Sequence, residues 1–355
     1  MTCEAGSRSV YRSTKPYQHG EASMKAITRR STIALGLGLA GGSLRSALAQ
    51  EALYPSRSVR LLVGFAPGGP LDFVGRSLAE RLTQRLGQSF VVENRAGATG
   101  NIAAEAVARA APPRDGHLLL MGNVQNLAVN AALQRDLPFD PARDLQPVAQ
   151  IATVPYVFVV PADLPIRSIA ELITLARQQP GGLNAGTPGV GSLQHLALEL
   201  LKARAGGLDI THVPFRGGSE VARELLGGRL QIGIDTLVSF GPGIEAGRIR
   251  PLATLHAQRL PGRPELPTVA ETAGLGGMEA SGWIGIAAPS GIPQPALARL
   301  EAAASWAMRE TDLPARLEAQ GLLARFAGGE VFSALVASER EKWARVVREA
   351  GITLG

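Results

Sequence analysis

The stretch Val59-Arg-Leu-Leu-Val-Gly-Phe-Ala-Pro-Gly-Gly-Pro-Leu-Asp72 decides the fold of this chain. Its first half is an apolar run rich in Val and Leu, which predicts a buried strand from Val59 to Phe65. The strand stops at a glycine-rich turn, and Pro70 suits the first helical position because it has no N–H group to leave unpaired there. A strand, a glycine-rich turn and a helix start in this order aim several N–H groups at one point, beside the positive end of the helix dipole. The stretch therefore predicts half of a site for a small anion.

A second glycine-rich turn, Gly186-Thr-Pro-Gly-Val-Gly-Ser192, repeats this arrangement later in the chain. It follows a short predicted strand and leads into a helix that ends near Arg204, with Ser192 as a good N-cap. For either turn alone, a purely structural loop is the simpler interpretation. Because the two turns occupy matched positions, we expect them to face each other across a cleft and to hold a carboxylate with backbone N–H groups.

Strand and helix signals alternate along most of the remaining chain, which predicts an α/β fold with parallel strands and crossover helices. Residues 155–160 read as a strand at a crossing into a second unit, and residues 283–289 as a strand that returns to the first. Asn101 is expected to cap a helix that runs to about Ala110, and Pro138, Pro141 and Pro147 punctuate a connecting region. From Pro293 onward the pattern is helical. We therefore expect two lobes: residues 50–155 with 283–355 form lobe 1, and residues 156–282 form lobe 2.

The charge balance argues against a nucleic-acid partner. The chain has 355 residues, of which 45% are hydrophobic and 19% charged, as in globular proteins with a substantial core. Its formal net charge is +6, but residues 1–49 hold seven of the 36 basic residues and two of the 30 acidic ones. The part that follows is close to neutral, with both signs interspersed, so we do not expect it to bind nucleic acid.

The first 49 residues have the order of a secretory leader. A basic segment over residues 24–31 is followed by an apolar run to about Gly42 and by Ala47-Leu-Ala49, which predicts a signal peptide over residues 24–49. Residues 1–23 are then a start-site extension, and the mature protein is periplasmic. Arg29-Arg30 leaves both the twin-arginine and the general export route open. The apolar run is too short for a membrane anchor.

Motifs of catalysis and metal binding are missing from the sequence. It contains no Gly-x-Ser-x-Gly, no Gly-Lys-Ser/Thr and no His-Glu-x-x-His, and its only cysteine, Cys3, lies in the leader. No histidine has a carboxylate or a second histidine at metal-ligand spacing. Ser192 and His195 form the only candidate pair of nucleophile and base, with no acidic residue close by in sequence to orient the base. An exported hydrolase of small acids is therefore kept only as an alternative.

The chain resembles the substrate-binding proteins of tripartite tricarboxylate transporters, the Bug family, from Tyr54 to Ile352. The motifs that carry this resemblance are spread over nearly all of the mature chain. They are Phe65-Ala-Pro-Gly-Gly-Pro-Leu-Asp72, Val91-Val-Glu-Asn-Arg-Ala-Gly97, Gly100-Asn101-Ile102, Gln194-His195-Leu196, Val213-Pro-Phe-Arg-Gly-Gly218 and Leu266-Pro-Thr-Val-Ala-Glu271.

The resemblance implies a type II periplasmic binding protein fold, the Venus flytrap, whose two lobes close on a small carboxylate. It implies a monomeric receptor and no enzyme, without cofactor or metal, that delivers its ligand to the membrane subunits of a transporter. A ligand sensor that docks on a signalling kinase is left open. The ligand-binding residues that the resemblance implies are Phe65, Ala66, Pro67, Gly68, Gly69 and Asp72 in lobe 1, Asn123 and Asn126 in the loop after the third strand, and Thr187, Gly189, Gly191, Ser192 and Asp235 in lobe 2.

Two departures from the family pattern bear on the ligand. Leu71 stands where relatives usually place a small hydroxyl residue before the aspartate. In the second turn, Val190 and Leu193 replace polar residues that relatives often have. Because the pocket loses hydrogen-bonding side chains, we expect an acid with an apolar or aromatic body rather than citrate.

Overall fold

A computed structural model describes residues 54–134, 136–349, 351 and 352 of the chain. The predicted signal peptide, its cleavage site after Ala49 and the start-site extension lie outside these residues. Every structural statement below concerns the described part.

The first sheet contains six strands in the order β11-β4-β10-β3-β1-β2. Its strands are β1 (Val59–Val63), β2 (Phe90–Asn94), β3 (Leu118–Asn123), β4 (Leu145–Val154), β10 (Gly282–Pro289) and β11 (Leu323–Gly328). Strand β1 pairs in parallel with both β2 and β3. Strand β10 runs antiparallel between β3 and β4, and β11 adds an antiparallel edge. We call the part of the molecule built on this sheet lobe 1.

The second sheet contains five strands in the order β7-β6-β8-β5-β9. Its strands are β5 (Tyr156–Pro161), β6 (Asn184–Thr187), β7 (Thr211–Pro214), β8 (Ile232–Thr236) and β9 (Ile249–Thr254). Strand β6 is parallel to both β7 and β8, while β5 runs antiparallel to β8 and β9. We call the part built on this sheet lobe 2. Only Pro155 separates β4 of lobe 1 from β5 of lobe 2.

The helices connect and cover the strands. They are α1 (Pro70–Leu86), α2 (Asn101–Ala108), α3 (Asn130–Leu133), α4 (Pro141–Asp144), α5 (Ile169–Gln178), α6 (Leu193–Arg204), α7 (Gly218–Leu226), α8 (Leu237–Glu245), α9 (Gln294–Glu310), α10 (Leu313–Glu318) and α11 (Gly329–Glu349), with a π-helix at Gln125–Val129 and 3₁₀ turns at Ala98–Gly100 and Val269–Glu271. Helix α1 begins at Pro70 and α6 is capped by Ser192, as the sequence predicts. Among the described helices, none has the length and apolarity to cross a bilayer.

The structure differs from the sequence-based prediction in several places. Strand β1 ends at Val63 rather than at Phe65, and both sheets contain antiparallel as well as parallel pairs. Strand β4 occupies a region that reads as a proline-punctuated connection, and β11 interrupts the expected C-terminal helical pattern. Asn101 is the first residue of α2 rather than its cap, because Gly100, with φ of 91°, holds the N-cap position. The fold class itself, a two-lobed α/β protein, is confirmed.

The apolar core covers both faces of the first sheet. One cluster joins β1, α1 and α9 through residues such as Leu61, Leu78 and Leu300. The other continues from lobe 1 into lobe 2, since it contains Leu62, Leu127 and Trp343 together with Leu196 and Phe158. The two lobes are therefore packed against each other, and their sheets present the ends of their parallel strands to the space between the lobes.

Candidate ligand-binding site

The first turn lies beside the loop that follows β3, because their strands are neighbours. Strands β1 and β3 pair in parallel, so the turn over residues 65–69 and the loop at Asn123 leave the sheet at the same edge. Helix α1 starts directly after the turn, with Gly69 as its N-cap. The first backbone N–H groups of a helix have no intrahelical acceptor. The edge therefore presents unpaired donors, as expected of a site for an anion.

Asp72 stabilises the first turn through hydrogen bonds to its side chain. Its buried carboxylate accepts hydrogen bonds from the backbone N–H of Gly68 (3.0 Å), from Nε of Arg76 (3.0 Å) and from Nδ2 of Asn94 (2.8 Å). Burial disfavours the charged form, but these donors outweigh it and hold the pKa of Asp72 below its usual value. The carboxylate is thus engaged within lobe 1, and it fixes the turn.

Phe65 and Asn126 meet at Gly100. A Cβ atom built on Gly100 would lie 3.0 Å from the Phe65 ring and 3.1 Å from Nδ2 of Asn126, and one built on Gly64 would lie 2.6 Å from Cα of Gly100. This close backbone approach requires glycine at both positions. Asn123 and Asn126 bond to each other, each side-chain oxygen accepting from the other's backbone N–H. The Nδ2 group of Asn126 is fully buried and has no acceptor among the described residues.

The second turn is held by the start of helix α6. The hydroxyl of Ser192 accepts from the backbone N–H of His195 (3.2 Å), which makes it the predicted N-cap. The ring Nδ1 of His195 accepts from the backbone N–H of Gly191 (3.1 Å), so that nitrogen is unprotonated. Gly189 and Gly191 have φ of 129° and 75°, a conformation that favours glycine.

A stacked pair of histidines supports this turn. The rings of His195 and His212 are 3.8 Å apart at an angle of 12°, and Nε2 of His212 lies 2.7 Å from the buried hydroxyl of Thr187. Burial and the neighbouring ring lower the pKa of His212 to about 4. Burial also lowers the pKa of His195, although the carboxylate of Glu199 counteracts it. Both rings are therefore neutral at neutral pH.

Asp235 lies at the end of β8, next to β6 and its turn. Its carboxylate accepts from Nε2 of Gln194 (2.9 Å) and from the hydroxyl of Ser239 (2.8 Å). Burial raises the pKa of Asp235, against the effect of these donors. Gly218 leaves space for this carboxylate, because a Cβ atom there would lie only 1.5 Å from Oδ2.

The two lobes touch at the second turn. Nε2 of Gln125, on the π-helix of lobe 1, donates to the carbonyl of Gly191 in lobe 2 at 3.0 Å, and both residues are buried. A second contact joins Val238 at the start of α8 to Gly321 before β11, where a built Cβ atom would lie 2.9 Å from Val238. The expected loop after β3 is thus a π-helix that begins just after Asn123 and carries Asn126, and it faces the turn of Gly191.

The expected site residues are not all equally close to this junction. Phe65, Asn123, Asn126 and Gly191 are linked to it by the contacts above. Ala66, Pro67 and Gly68 lie on the exposed surface, while Thr187 and Asp235 are buried within lobe 2. Three pockets with volumes of 330 to 400 Å³ open elsewhere on the described surface, and none is lined by the two turns. In this conformation the second turn contacts the π-helix of lobe 1 through Gln125, and the expected cleft between the two turns is not among these three pockets.

The geometry does not form a hydrolytic site at Ser192. Its hydroxyl binds the backbone of His195 rather than the ring, and the ring Nδ1 is occupied by Gly191. A carboxylate does lie near the ring, since Glu199 is 3.8 Å from Nε2 of His195, one helical turn further along α6. No cluster of three potential metal ligands is found within the described residues.

The structure also places residues at the site that the sequence reading does not single out. Gln125 and Asn130 join Asn123 and Asn126 in one short segment that is rich in amide side chains. Four amide side chains close together at the end of a buried strand are the sequence signal that could have indicated Gln125 and Asn130, because buried amides need hydrogen-bond partners. For Arg76 the signal is its i,i+4 spacing from Asp72, which places the two side chains within reach of an ion pair on helix α1.

Comparison with known proteins identifies the family. Residues 74–352 match the model of the tripartite tricarboxylate transporter family receptor. The chain belongs to this family. Its predicted class of function, a solute receptor of these transporters, is thereby confirmed.

Individual relatives agree with this assignment. The receptor is 38% identical over 323 residues to the UPF0065 protein in the tcbD-tcbE intergenic region of Pseudomonas sp. (strain P51), covering 91% of this chain and 95% of that one. It is similar to the solved structure of R. palustris Rpa4515 with adipate, with a TM-score of 0.75 and 38% identity over 84% of this chain and 99% of the other. It is also similar to the periplasmic binding protein BugD, with a TM-score of 0.72 and 29% identity over 84% of this chain and 99% of the other. The resemblance to the Bug family is therefore confirmed.

Proposed function

We propose that this receptor captures a small carboxylate between its two lobes in the periplasm and delivers it, as a monomer, to the membrane subunits of a tripartite transporter. The contact between the π-helix after β3 and the second turn carries this proposal, because it brings the buried Nδ2 group of Asn126 in lobe 1 close to the glycine-rich turn of lobe 2. In this proposal residues 50–155 with 283–355 form lobe 1 and residues 156–282 form lobe 2. The distribution of strands between the two sheets supports that division.

The ligand-binding role of the expected residues rests on their donors. Asn126 offers a buried Nδ2 group that finds no acceptor among the described residues, and an unpaired buried donor is costly unless a ligand or water fills it. Phe65 lies directly beside it across Gly100 and offers an apolar surface. We assign Asp72, Thr187 and Asp235 to the support of the turns, because their polar atoms are already bonded within their own lobes.

The composition of the turns favours one carboxylate on an apolar body. Residues 65–69 and 187–192 contain no lysine or arginine, so the turns meet the ligand's charge with the free N–H groups and dipoles of the helix starts, beside the Nδ2 group of Asn126. Each further buried carboxylate without a cation adds to the cost, so the tricarboxylate citrate is disfavoured more strongly than a mono- or dicarboxylate with an apolar body. Val190 is 46% exposed in the second turn and offers an apolar contact. Adipate, bound by the relative Rpa4515, combines two carboxylates with an apolar chain and is an informative probe.

Isothermal titration with adipate, malate, citrate and phenylacetate tests this proposal. We expect binding of an acid with an apolar body and no response to citrate. Val190→Asn should weaken that binding, whereas Val91→Asn, at a position that is equally 46% exposed on β2, should leave it unchanged. Tight binding of citrate without a response to apolar acids would refute the assignment of the ligand class.

The same protein can be tested for hydrolysis. Receptor function requires Ser192 only as a helix cap, so Ser192→Ala should retain most ligand affinity and lose about 1 kcal/mol of stability. Ester or amide derivatives of the bound acid should be left intact by the wild type. Turnover that disappears in Ser192→Ala would favour the alternative of an exported hydrolase.

A further inference from the structure

An amide network in lobe 1 ends on the backbone of the second turn. Oδ1 of Asn130 accepts from Nε2 of Gln125 (2.7 Å) and from the hydroxyl of Thr99 (3.1 Å). Its Nδ2 donates to Oδ1 of Asn101 (2.6 Å) and to the carbonyl of Thr99 (3.2 Å). Asn130 is fully buried and Gln125 is 7% exposed. Bonds at both ends of the Asn130 amide fix its orientation.

The network determines whether the side-chain amide of Gln125 presents its NH₂ group or its oxygen to lobe 2. Because Oδ1 of Asn130 is held as an acceptor, Gln125 must present its NH₂ group to it. The second N–H of that same group then reaches the carbonyl of Gly191 in lobe 2. The opposite side of the Gly191 residue is held by His195, which accepts from its N–H. Gly191 is thus fixed from lobe 2 through its nitrogen and from lobe 1 through its oxygen.

The network also reaches the first turn. Thr99 adopts φ of 52° and Ala98 φ of 47°, which is unusual for residues with a side chain. This conformation places Gly100 against Phe65. The five-residue π-helix that carries Gln125 is a rare element found frequently at functional sites. The buried amides of Gln125 and Asn130 therefore connect the second turn to the Thr99–Gly100 segment, which lies against Phe65 of the first turn.

We propose that Gln125 is a latch: its amide, oriented by Asn130, bridges to the Gly191 carbonyl and holds the two lobes closed around the ligand. The proposal rests on the proposed function, since a latch matters for a receptor that opens and closes. In the open form the Gln125 bond to Gly191 is exchanged for a bond to water, so the latch contributes the net value of one hydrogen bond to closure. Closure is thereby coupled to the conformation of the turn that grips the ligand.

Measurement of the distance between the lobes tests the latch without a ligand. Cys3 is the only cysteine and precedes the predicted cleavage site, so the chain from residue 50 onward is a cysteine-free background for two spin labels, at Glu310→Cys in lobe 1 and Gln178→Cys in lobe 2, both at exposed positions. We expect Gln125→Met, which keeps the volume but loses the donor, to shift the distance distribution toward longer values. Gln150→Met is the matched control, because Nε2 of the buried Gln150 donates to the hydroxyl of Thr153 within β4 of lobe 1, outside the network.

Ligand kinetics provide the second readout, with adipate as the probe. If the wild type binds adipate, Gln125→Met should release it about three- to tenfold faster, the value of one net hydrogen bond, while Gln150→Met should not. Should Gln125→Met fold poorly, Gln125→Asn, one methylene shorter, replaces it. Identical distance distributions for the wild type and a folded Gln125 variant overturn the latch. If the wild type binds none of the acids tested, the proposed ligand class fails, while the distance measurement still decides about the latch.

Discussion

Replacement of Asp72 tests whether its carboxylate stabilises the first turn or contacts the ligand directly. In the structure, Asp72→Ala removes the acceptor of Gly68, Arg76 and Asn94 together. The Arg76 side chain is 53% exposed, so its ion pair contributes at most about 1 kcal/mol. The bonds from Gly68 and Asn94 end on a buried carboxylate and contribute about 1 to 1.5 kcal/mol each after allowance for water reaching the freed donors. We therefore expect Asp72→Ala to lower the free energy of unfolding by about 2 to 4 kcal/mol.

Urea denaturation at neutral pH, followed by circular dichroism, measures this change. Asp72→Asn is the matched variant: it keeps the shape and one acceptor oxygen, and we expect about half of the loss. Ligand titration of the same two variants should show a moderate decrease in affinity, because the turn is loosened but its N–H groups remain. If both variants unfold like the wild type and yet bind no ligand, Asp72 contacts the ligand itself and its interpretation as a residue that stabilises the turn is wrong.

Two further predictions concern lobe 2. The pKa of His212 is about 4 and that of His195 is also lowered, so the unfolded state takes up protons first as the pH falls below about 6.5. The free energy of unfolding should therefore be constant above that pH and decrease toward pH 4, by up to about 3 kcal/mol for His212. Urea denaturation across this range checks the slope, which His212→Gln should reduce; an unchanged slope in that variant would contradict the assignment. Gly218→Ala should destabilise the protein by about 3 kcal/mol, since its Cβ atom would lie 1.5 Å from Asp235, whereas Gly217→Ala, with φ of 176° and open space around it, should be neutral. Thermal unfolding of the pair measures the difference, and equal melting temperatures would show that Asp235 moves aside freely.

The local signals in the sequence were sufficient for most of the elements. Pro70 and Ser192 mark helix starts through the chemistry of their own backbone or side chain, and both predictions are confirmed. Strand β4 could not be recognised because Pro147 lies inside it, and proline cannot donate to a ladder. The structure tolerates Pro147 opposite Ala287, where the register with β10 shifts.

The sequence-based prediction misses strand β11 for a different reason. Its residues, Leu323 to Gly328, include strong helix formers, so local propensity favours a helix. Pairing with the edge of β4 overrides that propensity, and a pairing partner 170 positions away leaves no local trace in the sequence.

The site shows the same division between local and distant information. The glycine-rich turns and the carboxylate of Asp72 are readable because their partners are close in sequence. The bond from Gln125 to Gly191 joins residues 66 positions apart, and only the assembled lobes bring them together. The role of Asp72 within its own lobe likewise depends on Asn94, which lies on the neighbouring strand.

The place of β10 between β3 and β4 has a consequence for biosynthesis. A nascent polypeptide that has reached residue 281 has made every strand of the second sheet, but the first sheet still lacks the strand that joins its two halves. Such non-local pairings form slowly, and incomplete sheets expose edges that invite aggregation. Folding of the first sheet is thus postponed until synthesis is nearly finished, and its unpaired edges remain exposed until then.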